Sequence, residues 1–338
     1  MASSSRHIAV LGGGSFGTAI CNMVAGNGHH ATLWLRNESR AREINEQHRN
    51  SYYLPDLVLD DKVTASTDLP QTVAGADMVF VAVPSKSCRD VAGQLAASVK
   101  PGTFIISTTK GIEPEGFLLM SQVLRSALPN NPIGVLSGPN LAKEIVARQL
   151  TASVIACEDQ QLVSEVQSVL QSGYFRIYAS KDVFGVELGG ALKNIYAIIA
   201  GIATALALGD NTKSMLITRA LAEMSRFAVT MGANPMTFLG LSGVGDLIVT
   251  CASPLSRNFQ VGYAIGEGKT LEQAVDELGQ VAEGVNTLRL VHDKAQREGV
   301  YMPLVNGLYQ ILFEQVSLAD AVSALMLSEQ THDVEFTL

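Results

Sequence analysis

The chain has 338 residues, 47% of them hydrophobic and only 17% charged, with a net charge of −8. That much apolar material builds a large core and excludes an intrinsically disordered chain, and the length suits two domains. The negative balance argues against nucleic acid as a partner, so a phosphorylated ligand would have to be met by a local cluster of cations.

The first predicted strand, 6–11, falls straight into Gly12-x-Gly14-x-x-Gly17, and apolar residues continue at helical spacing through Ile20, Met23 and Val24. In that context the glycines have a mechanism. Gly12 permits the tight turn, Gly14 lets the backbone approach a pyrophosphate, and Gly17 lets the new helix pack closely on the sheet. The helix N-terminus offers N–H groups and a positive dipole end to the phosphates. The next strand, 31–35, ends on Arg36, where an NAD-selective site carries a carboxylate for the ribose hydroxyls. A guanidinium suits a 2′-phosphate instead, and Arg40 and Arg42 follow closely. NADPH is the expected cofactor, with NADH as the alternative; solvated surface arginines are the plainer reading of this cluster.

Further strands are predicted at 78–83, 103–108, 133–137, 151–157 and 174–178, with helical patterns between them such as 86–98 and 115–127. Continuous apolar runs like Met78-Val-Phe-Val-Ala-Val83 mark strands buried on both faces. The expectation is a doubly wound, Rossmann-like α/β domain over 1–181. After Ser180-Lys-Asp182, a helix N-cap signal, strand signals vanish. Helices are predicted at 183–208, 212–231, 257–267, 284–299, 303–314 and 318–327, giving an all-α domain over 182–338. Within it, Leu188–Leu208 is apolar apart from Lys193, Asn194 and Thr204. A lysine inside a membrane span costs about 2.5–3.5 kcal/mol, so a helix buried on all sides in a globular domain is expected and no stable membrane insertion. Four dispersed cysteines and six histidines lack ligand spacing, so buried free thiols and no metal are expected. The N-terminus carries no signal-peptide core; a cytoplasmic location is the default.

Four constellations carry chemistry. Lys193 stands about three turns into the apolar helix, with Gly189 and Gly190 leaving the neighbouring face bare for a cofactor or substrate. Burial lowers the pKa of a lysine, which suits a group that gives a proton to a nascent alkoxide and takes it back; structural pairing with Glu187 is the alternative. Lys110, in Thr108-Thr-Lys-Gly111, lies at a strand end where ligands sit in open α/β sheets, and could equally be a solvated strand end. Ser137-Gly-Pro-Asn140, running on to Ala142, is a strand end turning into a helix. Gly243-Val-Gly-Asp246 offers a carboxylate to orient an ammonium, and Ser256-Arg-Asn258 supplies hydroxyl, guanidinium and amide donors for a phosphate. Gly243-x-Gly245 is a decoy for a second dinucleotide site, lacking a third glycine and a preceding strand. Gly266-Glu-Gly-Lys-Thr270 lacks the first glycine of a P-loop.

Together these residues resemble the bacterial-type NAD(P)-dependent sn-glycerol-3-phosphate dehydrogenases. The matching motifs are GGGSFGTA at 12–19, LWLRN at 33–37, VPS at 83–85, TKG at 109–111, SGPNLAKE at 137–144, GVELGGALKN at 185–194, ITRALAEM at 217–224, GVGDLIVTC at 243–251, SRN at 256–258 and VAEGVNT at 281–287. They run through nearly the whole chain. The resemblance implies a helical C-terminal domain like that of 6-phosphogluconate dehydrogenase. It implies Lys193 as proton donor and acceptor, and Lys110 in contact with both cofactor and substrate. Gly12, Gly14, Ser15, Phe16, Gly17, Arg36, Ala142, Arg257, Val281 and Glu283 fall at cofactor positions. Gly138, Asn140, Lys193, Asp246, Ser256, Arg257 and Asn258 fall at substrate positions, with Asp246 grouped with the catalytic lysines. Position 140 is often Ser or Thr in the family and is Asn here; position 36 varies. The implied reaction is reversible reduction of dihydroxyacetone phosphate to sn-glycerol 3-phosphate, for phospholipid synthesis. A homodimer is left open. A carboxylate-directed reductase of the same design and a non-catalytic nucleotide sensor are the rivals. The first would lack Lys110 combined with Ser256-Arg-Asn258, and the second would not require Lys193.

Overall fold

In the computed structural model, residues 5–278 and 282–327 are described. The chain divides into two compact units, Met1–Val183 and Phe184–Leu338.

The first unit is built on strands β1 (His7–Leu11), β2 (His30–Trp34), β3 (Val63–Ser66), β4 (Met78–Val81) and β5 (Phe104–Ser107). A two-residue pair, β6 (Ile112–Glu113) with β7 (Leu118–Leu119), stands apart, and β8 (Ile133–Ser137), β9 (Thr151–Ala156) and β10 (Phe175–Ser180) follow. The main sheet runs β10-β9-β8-β5-β4-β1-β2-β3. Its middle strands are fully buried, and apolar clusters cover both faces, one holding Ile8, Val10 and Phe80, the other Ala9, Leu11 and Val79. Successive residues of β1 thus feed opposite layers, as strand geometry dictates. The chain winds outward from β1 through β2 to β3, then crosses back to β4 on the other side of β1. The strand order therefore reverses between β1 and β4, and the C-terminal ends of strands at such a point form a ligand crevice.

Three features differ from the sequence expectation. The edge strand β3 has four residues of mild hydropathy and gives no strand signal. The segment 115–119 forms a short 3-10 turn and β7, so the helix expected at 115–127 covers only Met120–Ala127. Strands β8 and β9 pair antiparallel inside an otherwise parallel sheet. A parallel return usually carries a full crossover helix, and the link from β8 to β9, residues 138–150, holds only the five-residue helix Ala142–Val146.

The second unit is helical among its described residues. It opens on the long helix Val183–Ala205, followed by Asp210–Thr230, Asp246–Ala252, Arg257–Gly266, Leu271–Leu278, Glu283–Glu298, Pro303–Phe313 and Leu318–Met326. The central helix is long and apolar enough to cross a membrane, but 83% of that window is buried within the fold. Glycines let other backbones reach it. A Cβ on Gly262 would collide with the Ile198 carbonyl, one on Gly201 with the Phe259 carbonyl, and one on Gly284 would sit 2.5 Å from the Asn194 carbonyl oxygen.

One turn beyond Lys193 on this helix, the Tyr196 hydroxyl lies 3.3 Å from buried Glu223, which also accepts from the N–H groups of Leu304 at 2.6 Å and Val305 at 3.3 Å. The carboxylate thus closes the N-terminus of Pro303–Phe313. Burial pushes the Glu223 carboxyl up from 4.5 to about 7, against the opposing pull of those two N–H groups and the Arg226 charge. A carboxyl raised in the folded state binds its proton more tightly there than in the unfolded chain. Stability therefore falls as pH rises from 4.5 to 7, by about 3 kcal/mol. In Glu223→Gln that part of the slope should vanish from denaturant midpoints taken between pH 5 and 8; an unchanged slope would contradict the assignment.

Candidate active site

The sequence-predicted residues of the first unit gather at one sheet edge. Strands β1, β2, β5 and β8 run in the same direction, so the segments after them leave from the same end. The glycine turn follows β1. Gly12 has φ +122°, and a Cβ there would collide with the Ala82 carbonyl just past β4, whereas a Cβ on Gly14 would meet nothing within 4 Å. Gly17 packs so closely on the turn that a Cβ would strike the Gly12 carbonyl. Helix Ser15–Gly26 starts without a side-chain cap, and Thr18 N–H bonds back to Gly14 at 2.9 Å. The N–H groups of Ser15, Phe16 and Gly17 therefore project from the helix end beside an open backbone. Room at Gly14 and an uncapped helix start fit a pyrophosphate.

Asn50, fully buried, was not visible as a functional residue in the sequence. Its Nδ2 donates to the Gly13 carbonyl at 3.0 Å and to Thr18 Oγ1 at 2.8 Å, fixing the turn from outside. The same loop carries Tyr53, whose carbonyl accepts from Ser15 Oγ at 3.4 Å. It also carries Tyr52, over whose ring the Arg40 guanidinium lies at 4.0 Å. No periodicity marks this loop, which is why the sequence hid it. Arg36 is exposed two residues beyond β2, so it and stacked Arg40 put two cations at that strand end.

Lys110 is held at the exit of β5. The hydroxyls of Thr108 and Thr109 donate to the carbonyls of Val81 and Val83, at 3.0 and 2.9 Å, and Gly111 takes φ +152°. Gly138, at φ +132°, turns the chain after β8 towards Asn140, and Ala142 begins the short helix, half-buried.

In the second unit, Lys193 is 6% exposed and Asp246 fully buried. Lys193 Nζ donates to Asp246 Oδ1 and, at 2.8 Å, to Thr250 Oγ1. The Thr250 hydroxyl donates in turn to the Asp246 backbone carbonyl at 2.6 Å. Asp246 opens its helix directly after a π-turn, Leu241–Gly245, an irregularity frequent at functional sites. The bare face expected at Gly189 is occupied: a Cβ there would sit 2.8 Å from the Ser242 carbonyl oxygen. That glycine brings the π-turn, and so Asp246, against the lysine helix. Gly243 serves packing as well, since a Cβ would strike the Phe238 backbone.

Adjacent Asn194 extends the arrangement. Asn258 Nδ2 donates to Asn194 Oδ1 at 2.9 Å, and Gly284 N–H donates to Asn258 Oδ1 at 2.9 Å. The Asn258 amide therefore ties three helices together, a structural duty the sequence reading missed. Glu283 is the first residue of the helix that this bond ties in. Ser256 caps the Arg257–Gly266 helix, its Oγ accepting from Phe259 N–H at 3.3 Å, and Arg257 is exposed at the helix start. Val281 lies outside the described residues. The unit thus combines a buried ammonium, able to protonate an oxyanion, with a guanidinium at a helix N-terminus, able to hold a phosphate.

Comparison with known proteins converges on one activity. Residues 7–163 match the family described as NAD-dependent glycerol-3-phosphate dehydrogenase N-terminus, and residues 182–323 match its C-terminus. The glycerol-3-phosphate dehydrogenase [NAD(P)+] of Teredinibacter turnerae is 55% identical over 332 residues, covering 98% of both chains. That of Azotobacter vinelandii is 57% identical over 329 residues, covering 97% of this chain and 96% of its own. The crystal structure of glycerol-3-phosphate dehydrogenase from Coxiella burnetii superposes with a TM-score of 0.91 at 35% identity, over 96% of this chain and 99% of that one.

Proposed function

The chain belongs to the NAD-dependent glycerol-3-phosphate dehydrogenase family, and on that premise we propose that it catalyses reversible reduction of dihydroxyacetone phosphate to sn-glycerol 3-phosphate. The product would feed glycerophospholipid synthesis in the cytoplasm. The observation that carries the proposal is the buried Lys193–Asp246–Thr250 cluster: an ammonium fixed in an apolar helix and oriented by two acceptors.

The first unit binds the cofactor through the Gly12–Gly17 turn, with Ser15 and Phe16 at the helix start and Ala142 further along the sheet edge. When bound, the nicotinamide supplies or accepts the hydride. The remaining chemistry belongs to the chain. Lys193 gives a proton to the C2 oxygen as the alkoxide forms and removes it in the reverse direction. Asp246 and Thr250 hold the ammonium in place for that transfer. Arg257, with Ser256, Asn258 and the N-terminus of their helix, grips the substrate phosphate, and this remote binding energy aligns the reacting carbon. By their place in the family pattern Lys110, Gly138 and Asn140 are substrate residues, Lys110 also a cofactor residue, and Glu283, Val281 and Arg257 are further cofactor residues. Arg36, backed by Arg40, selects NADPH over NADH.

Lys193→Met should cut turnover by about 10²–10⁴-fold while NADPH affinity stays within a few-fold. Near-normal turnover in a folded variant would remove Lys193 from the mechanism. Arg257→Ala should raise KM for dihydroxyacetone phosphate, and wild-type protein should use unphosphorylated dihydroxyacetone poorly; equal use of both ketones, followed at the nicotinamide absorbance band, would refute the phosphate grip. Arg36→Asp should move the ratio of kcat/KM values from NADPH toward NADH. A lost charge-assisted contact is worth about 1.5–3 kcal/mol, or roughly one to two decades, less whatever Arg40 retains. A ratio that does not move would show that Arg36 does not read the 2′-phosphate.

A further inference from the structure

The turn after β8 rests on one buried serine of the neighbouring strand. Strands β8 and β9 run antiparallel with Ser137 opposite Val154, so the turn's next residues come to lie over Ser153, which is fully buried. A Cβ on Gly138 would approach Ser153 Cα to 3.3 Å and Ser153 Oγ to 3.7 Å. The Ser153 hydroxyl donates to Asn140 Oδ1. The other end of that amide, Asn140 Nδ2, is shielded from water and has no hydrogen-bond partner.

A buried donor without an acceptor is costly, and native structures retain few of them without a reason. Here the donor is half of an amide whose other half is tied down. Asparagine has one more heavy-atom torsion than serine, and left to itself its amide could present either the oxygen or the nitrogen. The bond that the Ser153 hydroxyl donates to Oδ1 holds the amide plane and leaves Nδ2 as the group without a protein partner. We infer that Ser153 is a positioning residue that holds Asn140 so that its Nδ2 donates to an oxygen of the phosphorylated substrate. The inference rests on the proposed function, with Asn140 at a substrate position. It explains how asparagine serves where a hydroxyl residue is common: a second side chain removes the rotational freedom that the longer one adds.

The test is steady-state kinetics of the full chain with dihydroxyacetone phosphate, joined to the side-chain amide resonances of ¹⁵N-labelled Asn140. Ser153→Ala should raise KM for the ketone about 3–10-fold, the value of one net hydrogen bond, with KM for NADPH unchanged. In an Asn140→Ala background, Ser153→Ala should add nothing further. A ketone KM that does not move, or one that rises equally in both backgrounds, would overturn the inference; the second result would mean that Ser153 only packs under Gly138. An inactive wild type would count against the functional reading instead. The resonances would then decide on Ser153 alone: Asn140 amide signals that move in Ser153→Ala support the positioning contact, and signals that stay in place overturn it.

Discussion

An ammonium can be kept inside an apolar helix bundle only if an anion is kept there with it. Breaking such a buried pair by removing one member costs about 3–5 kcal/mol, so the side chain at 193 constrains everything around it. Asp246 must be brought within reach of the central helix, which requires that the π-turn ahead of it lie almost on the helix backbone. Gly189 makes that approach possible, and Thr250, one turn after Asp246, supplies a second acceptor. The same logic extends to neighbouring Asn194, whose amide is bonded to Asn258, and Asn258 is bonded to the helix start at Gly284. The second unit is therefore packed outward from a polar seam. Glycines at 201, 262 and 284 allow neighbouring backbones to close directly on the central helix and its partners.

The first unit solves a different problem, that of presenting open backbone at a defined place. Its sheet reverses strand order beside β1, where the Gly12–Gly17 turn lies against the exit of β4. A Cβ is excluded at Gly12 and would meet only open space at Gly14. Asn50 fastens the turn, and the paired threonines fasten the segment bearing Lys110. Rigid support beneath a backbone surface left clear is what a phosphate-binding loop requires, because the N–H groups must already be aimed when the ligand arrives.

Much of this was legible in the sequence for local reasons. The glycine fingerprint, the doubly apolar strands and the helical periodicity after residue 182 all lie within short windows. What stayed hidden was set by pairing at a distance. Asp246 is 53 residues from Lys193, a distance across which no local pattern marks the pairing. Asn258 read as a phosphate donor and turned out also to be the tie between three helices. Strand β3 had only mild hydropathy to mark it, and the antiparallel run of β9 shows only in its pairing with β8. Asn50 and Ser153 carry no motif; only their position under a turn gives them meaning.

The account stands on Lys193 and Asp246 acting as one unit, and a double-mutant cycle on turnover tests this most directly. Groups that work as a unit lose their contributions together rather than independently. Dihydroxyacetone phosphate reduction would be measured for wild type, Lys193→Met, Asp246→Asn and the double variant, each checked for folding. The account predicts that Asp246→Asn alone is severely slowed and that the double variant is no slower than Lys193→Met. Losses that multiply in the double variant would mean that the two residues act separately, and that the buried pair is not the centre of the chemistry.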